Sequence, residues 1–290
     1  MQPARAAPGP IGVMPGVFLR FEPTADPVPL VVDVSRSGRE YPQEFRSPLP
    51  FSVLHENVSM HLEKLWGGAP DVGGTMLYCC FPNTWIDVNR SLQDMDPGAV
   101  QDGWPAPLKP TNRTLKGLGL IKTRSRYGEL LQERPLLRAE VETRLRDYYE
   151  PYHAELLRII EATHARFGRV RHMSVHCMPP VGGPADDDAG ARRPDFCLGN
   201  LDGVTCSADL TGALRDWIGE MGYTVTVNEP FRGNETIRRH GNPQAGVESI
   251  QVELNKKLFV DNSTFRPTEG LEPLQHDLVT LMHRFAAWRR

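Results

Sequence analysis

The chain is poor in cysteine, has no long apolar run, and carries almost no excess charge. Five cysteines (Cys79, Cys80, Cys177, Cys197 and Cys206) stand among 290 residues, an odd count with no CxxC spacing. That excludes a disulfide framework and a structural zinc knuckle. Cys79 and Cys80 fall inside the apolar run TMLYCCF, where buried, inert thiols are expected. No apolar run approaches the roughly 20 residues that would span a bilayer, and MQPARAAPGPIGVMPG lacks the apolar stretch of a secretory signal. With 33 basic and 36 acidic residues the net charge is −3, which gives no electrostatic ground for a nucleic-acid or membrane partner. A cytoplasmic protein acting on a small molecule is the expectation.

What is present is ordinary for a globular protein: 40% hydrophobic and 24% charged residues. Residues 1–16 are rich in Pro, Ala and Gly and are expected to be flexible, ahead of one domain over residues 17–290. VPLVVDV (28–34) reads as a central strand because it is apolar on both faces. It delivers Arg36 to a Ser-Gly turn. Apolar residues between Pro48 and Trp66 fall near helical spacing, and TMLYCCF (75–81) and WIDVNR (85–90) read as strands. Residues 91–134 carry many Pro, Gly and Asp with little periodicity, the mark of a long irregular excursion.

From Pro135 to Phe167, Val141, Leu145, Tyr148, Tyr152, Leu156 and Ile159 mark one helix face. Pro151 is expected to kink or split this helix, and Gly168 to end it. VRHMSVHC, YTVTVN and GVESIQVELN read as further strands, and LTGALRDWIGEM and LEPLQHDLVTLMHRFAAWRR as helices. The alternation predicts an α/β fold, a single domain with a mixed, largely parallel sheet flanked by helices and sites at strand ends.

Four strand ends deliver polar groups: Arg36, Asn89-Arg90, His176-Cys177 and Glu253. Arg90 offers a planar fork suited to a carboxylate, with Asn89 adding hydrogen bonds; the plain alternative is a surface arginine paired with a loop acid. His176 can bind metal, act as a base, or be structural. Neighbours on a strand point to opposite faces, which disfavours a His176–Cys177 dyad. Gln251, Glu253 and Asn255 share one face of their strand, either the wet side of an edge strand or a site. An acid in an apolar strand is costly unless paired or used, so Glu253 ranks first among general bases.

Taken together, these segments resemble the N-formylglutamate amidohydrolase family. The similar stretches are VPLVVDVSRSGREYP, FPNTWIDVNRSLQDMDP, GLGLI, YYEPYHAELLRIIEATHARFGRV, VHCMP, RRPDFCLGNLDGVTC, NEPFRGNETIRRHGNP and SIQVELNKKLFVD. The resemblance implies a layout like that of zinc carboxypeptidases and aspartoacylases, with zinc at the strand ends and a zinc-bound water attacking an amide carbonyl. Carried over by position, it implies His176 as zinc ligand, Glu253 as general base and Asn89 with Arg90 as a carboxylate clamp. Arg238, in ETIRRHG, and Asn228, which opens NEPFRG, are further implied substrate contacts.

Three departures bear on the metal. Arg36 stands where the family pattern has a histidine, and a guanidinium has no lone pair to donate. The family's Glu-Asp pair becomes Glu56-Asn57 in one register and Val58-Ser59 in the other. Ser174 replaces an acid two residues before His176. His176 and Glu56 are the remaining ligand candidates for a shifted site. A monovalent cation about 4 Å from Zn²⁺ costs roughly 8 kcal/mol at a dielectric near 20, so Arg36 disfavours zinc in the family position. The expectation is an enzyme acting on a C–N bond of a small carboxylate-bearing substrate, with Arg36, His176 and Glu253 in the site and zinc lost or altered. The alternatives are an ordinary zinc amidohydrolase of N-acyl amino acids, or a binder of small acids without turnover.

Overall fold

A computed structural model describes residues 9–289. In chain order its first strands are β1 (Gly12–Met14), β2 (Phe18–Phe21), β3 (Leu30–Val34) and β4 (Thr75–Cys79). The later strands are β5 (Val170–Met178), β6 (Phe196–Gly199), β7 (Val225–Val227) and β8 (Val247–Asn255). Helices α1 (Phe51–His55), α2 (Leu62–Leu65), α3 (Asn112–Leu115) and α4 (Arg138–Arg144) are short. They are followed by α5 (Glu150–Phe167), α6 (Ala208–Glu220), α7 (Glu235–His240) and α8 (Leu271–Ala287).

The strands form one eight-stranded sheet in the order β1-β2-β4-β3-β5-β8-β6-β7. The centre, β4-β3-β5-β8, is parallel, with antiparallel pairings at β1-β2, β2-β4 and β8-β6. β3 is buried along its whole length, as its two-faced apolar sequence predicts. One face of the sheet packs on α8 and α6 through Leu274, Leu278, Phe285, Leu210 and Leu214, with Trp66 beneath them. The other face packs on Tyr152, Leu156 and Ile159 of α5 and on Trp85, Ile86 and Leu120 from loops.

Residues 1–8 of the expected flexible segment lie outside the described residues, while Gly12–Met14 add an edge strand by pairing with β2. The helical spacing before Trp66 yields two short helices, because the chain between them is diverted: Ser59 N donates to Arg36 O at 2.9 Å. Trp85–Arg90 is not a strand. Asp87 Oδ1 accepts from Asn89 N at 3.1 Å and Arg90 N donates to Asp87 O at 3.0 Å, local bonds that replace a ladder with turns. β8 lies between β5 and β6 with all nine residues buried, so Glu253 is not on the wet face of an edge strand. Pro151 sits in the first turn of α5 directly after a π-helical turn, Leu145–Tyr149. A proline there has no N–H to continue the preceding ladder. Gly168 then closes α5 in the left-handed conformation, φ 67°.

The turn after β3 depends on Gly38. A Cβ there would lie 2.2 Å from Phe81 O and 2.5 Å from Cys80 O, backbone atoms that cannot swing aside. Gly38→Ala is therefore expected to lower stability by about 3 kcal/mol, toward the upper end for overpacked sites, measured as a reduced denaturant midpoint with unchanged slope.

Candidate active site

The carboxyl ends of β3, β5 and β8 open onto a cavity of about 270 Å³, closed by loops from residues 83–90, 113–126, 178–193 and 230–234. Arg36, Asn89, Arg90, Cys177, Gln251, Glu253 and Glu56 all line it. So do Arg113, Lys122, Arg126, Arg193, Arg232 and Lys256, giving eight basic lining residues against three acids, Glu56, Asp186 and Glu253. Such a lining favours an anionic occupant.

Arg36 is clamped at the floor. Its Nε donates to Asp87 Oδ1 at 3.2 Å and its Nη2 to Asp87 Oδ2, a two-point fork that leaves Nη1 outside the pair. Asp87 is fully buried. Burial alone would raise its pKa, but Arg36 and then Lys122 pull it well below the usual carboxylate range. Burial acts to lower Arg36, yet Asp87 more than offsets it, so the guanidinium stays protonated.

Glu253 is 5% exposed. Burial pushes its pKa up to about 7, against the pull of Arg36, Arg193 and Arg113. Gln251 Nε2 donates to its Oε1 at 2.9 Å and orients the carboxyl group. Asn89 in turn donates from Nδ2 to Gln251 Oε1 at 2.9 Å and accepts at Oδ1 from Thr236 N at 3.0 Å. The Asn89 amide thus braces Gln251 and α7, with its Nδ2 also 3.4 Å from His176 Nε2, while Arg90 reaches the cavity with its Nη1 on Asp94 at 2.7 Å.

His176 lies on β5 beside Glu253 in the sheet register but is 1% exposed and behind the cavity lining. Ser174 Oγ donates to Asp33 Oδ2 at 2.7 Å and stands 3.1 Å from His176 Nε2. Asn89 Nδ2 stands 3.4 Å from the same ring nitrogen, so Nε2 sits between the Ser174 hydroxyl and the Asn89 amide. Burial and then Arg36 depress the His176 pKa to about 3, so the ring is neutral. The acid missing at position 174 is therefore supplied from β3, by Asp33 acting through the Ser174 hydroxyl. Tyr152 of α5 also donates to Asp33.

Cys177 lines the cavity while the His176 ring engages Ser174, and burial raises the thiol pKa. Glu56 lines the cavity mouth. Arg238 is exposed on α7 and Asn228 exchanges amide bonds with Asn200 at 2.8 and 3.0 Å; neither lines the cavity. The sequence reading missed Arg113, Lys122, Arg126, Arg193 and Lys256. They come from loops, from the short helix α3 (Arg113) or from a strand's end, where a basic residue reads as a solvated charge.

The model of the N-formylglutamate amidohydrolase family matches residues 28–260. The chain belongs to that family. An N-formylglutamate deformylase of Pseudomonas putida is 24% identical over 270 residues, covering 90% of this chain and 93% of that one. A second, from Pseudomonas aeruginosa, is 26% identical over 71% of each chain. A crystal structure of N-formylglutamate amidohydrolase from Ralstonia eutropha JMP134 is 35% identical, with a TM-score of 0.86 over 93% of this chain and 97% of that one. A solved structure from Agrobacterium tumefaciens, 17% identical with a TM-score of 0.66 over 93% of this chain and 94% of that one, shares the fold.

A catalytic zinc of the kind the family resemblance implies needs three lone-pair donors facing an open position. Here the turn after β3 presents a guanidinium paired to Asp87, Ser59 lies against the Arg36 carbonyl, and His176 Nε2 is taken by Ser174. Among the described residues no group of three or more His, Cys, Asp or Glu side chains is placed to hold a metal ion. This donor set does not fit a catalytic zinc.

Proposed function

We propose that this member of the family cleaves the C–N bond of a small N-acylated amino acid bearing at least one carboxylate, with the Arg36 guanidinium standing in place of a metal. The supporting observation is Arg36 forked onto buried Asp87 beside Glu253, at the floor of a cavity with eight basic lining residues. No helix of the described residues is long and apolar enough to cross a membrane, and nothing in the cavity calls for a macromolecular substrate.

In this reading Glu253 takes a proton from water as the oxygen attacks the acyl carbon. A pKa of about 7 suits a base that must then return the proton. Negative charge develops on the carbonyl oxygen, where the Nη1 edge of Arg36 stabilises it without reorganisation, because Asp87 fixes the group beforehand. The intermediate collapses, and the departing amine takes the proton from Glu253. The products are a carboxylate and a free amino acid. Arg90 and Arg113 hold the substrate carboxylate.

The test is turnover of a panel of N-formyl and N-acetyl amino acids and the matching carboxamides, followed by proton NMR. Release of the acid from carboxylate substrates, and at least about tenfold slower release from carboxamides, is the expected result. Ligand-dependent thermal stabilisation with no turnover of any member would overturn the proposal and leave a binder.

A further inference from the structure

Lys122 enters the cavity from the irregular segment after α3, where positive charge is already in excess. Its Nζ lies 3.7 Å from Asp87 Oδ2, within ion-pair range but beyond ordinary hydrogen-bond distance, while Arg36 holds the same carboxylate in a fork. Arg90 and Arg113 stand nearby with their own acids, Asp94 and Asp186. The side chain of Lys122 is 6% exposed, so water screens little of this repulsion.

Arg36 and Lys122 thus face a single buried carboxylate whose short contacts go to Arg36 and to the Asn89 N–H. Guanidinium groups do not release a proton at physiological pH, so the proton most easily lost from the cluster is the one on lysine. Burial depresses Lys122 well below the usual lysine range; Asp87 opposes this, and Arg36, Arg90 and Arg113 add to it. Lys256 in the same cavity is also lowered by burial. Its Nζ, however, donates to Glu56 O at 3.4 Å and Val58 O at 3.5 Å, so its nitrogen is engaged by backbone carbonyls where that of Lys122 has only the 3.7 Å contact to Asp87.

We propose that Lys122 is an amine nucleophile that forms an imine with small carboxylate-bearing aldehydes and 2-oxo acids held in this cavity. The Nζ lone pair adds to the carbonyl carbon, a proton passes from nitrogen to oxygen, and water leaves, giving C=N with no oxidation or reduction. Arg90 and Arg113 hold the carboxylate beside it. The inference rests on the reading of the cavity as a carboxylate site, but not on amide hydrolysis.

The test incubates the native protein with glyoxylate at pH 7, reduces any imine with borohydride, and locates the secondary amine by peptide mass spectrometry. An ordinary lysine with a pKa of about 10.4 is an amine in about one molecule in 2,500 at pH 7. Label at Lys122 is expected to exceed that at exposed Lys64, Lys109, Lys116 and Lys257 by at least about tenfold. Propanal, which lacks the carboxylate, should label Lys122 at least about tenfold less. Lys122→Arg should abolish the label; if that variant fails to fold, excess glutarate should protect Lys122 in the native protein. Label distributed by surface exposure, label at Lys122 indifferent to glutarate, or no label at all would overturn the inference. Labelling of Lys122 in a protein that hydrolyses no N-acyl amino acid would overturn the proposed function alone, and hydrolysis without labelling would overturn this inference alone.

Discussion

Arg36→Ala is expected to lower turnover by about 10²–10³-fold, the scale for removing one preorganised oxyanion donor, and to lower stability by about 3 kcal/mol. The two effects have one origin. Asp87 is fully buried, and without the Arg36 fork it keeps the Asn89 N–H at 3.1 Å and, as its nearest cation contact, Lys122 at 3.7 Å. Leaving a buried charge without its partner is the costly way to break an ion pair. Arg36→Lys restores the charge but not the two-point geometry, so it should recover part of the stability and little of the rate. Denaturant unfolding and kcat/KM, measured on both variants, check the pair of predictions. Loss of stability with turnover unchanged would mean that Arg36 is a structural cation and no more.

Glu253→Gln is expected to reduce turnover by about 10²–10⁴-fold and to raise stability above neutral pH. The carboxyl group is held at about 7 against an ordinary 4.5, so the fold prefers its neutral form. Its contribution to stability is complete below about 4.5 and is lost as the pH rises through about 7. Glutamine keeps the neutral shape at every pH. At pH 8 the variant should therefore be more stable than the parent by roughly 3 kcal/mol, from 1.36 kcal/mol per unit, while at pH 4 the two should nearly coincide. The parent's kcat/KM should rise with pH around an apparent pKa near 7, the limb expected of a base that must be ionised.

The frame of this protein is legible in its sequence wherever burial imposes a simple pattern. β3 is apolar on both faces because α8 covers one side and α5 the other, and that pattern survives in VPLVVDV. α5 shows its apolar stripe, its proline and its closing glycine. Trp85–Arg90 was misleading for a physical reason: its apolar residues are buried against α5 and the sheet, so it looks like a strand, while Asp87 uses its side chain to turn the backbone.

The site divides the same way. Arg36 and Glu253 stand at strand ends and are readable as such. Lys122, Arg113 and Arg193 come from segments with no periodicity, and only folding brings them to one cavity. Asp33 was hidden inside an apolar strand; a charged residue at that position needs partners, and Ser174 and Tyr152 are those partners. His176, read from sequence as a ligand or base, is placed behind the cavity lining with its ring bonded to Ser174.

The central claim, that a guanidinium clamped by Asp87 replaces the metal, is tested most directly by measuring zinc content and turnover on the same sample. The protein is purified, dialysed against a chelator, and analysed for bound metal before and after kinetic measurement on the best N-acyl amino acid. The account predicts substoichiometric zinc and a kcat/KM that chelation does not change. One zinc per chain that leaves on chelation and takes the activity with it, both returning on addition of zinc, would contradict it.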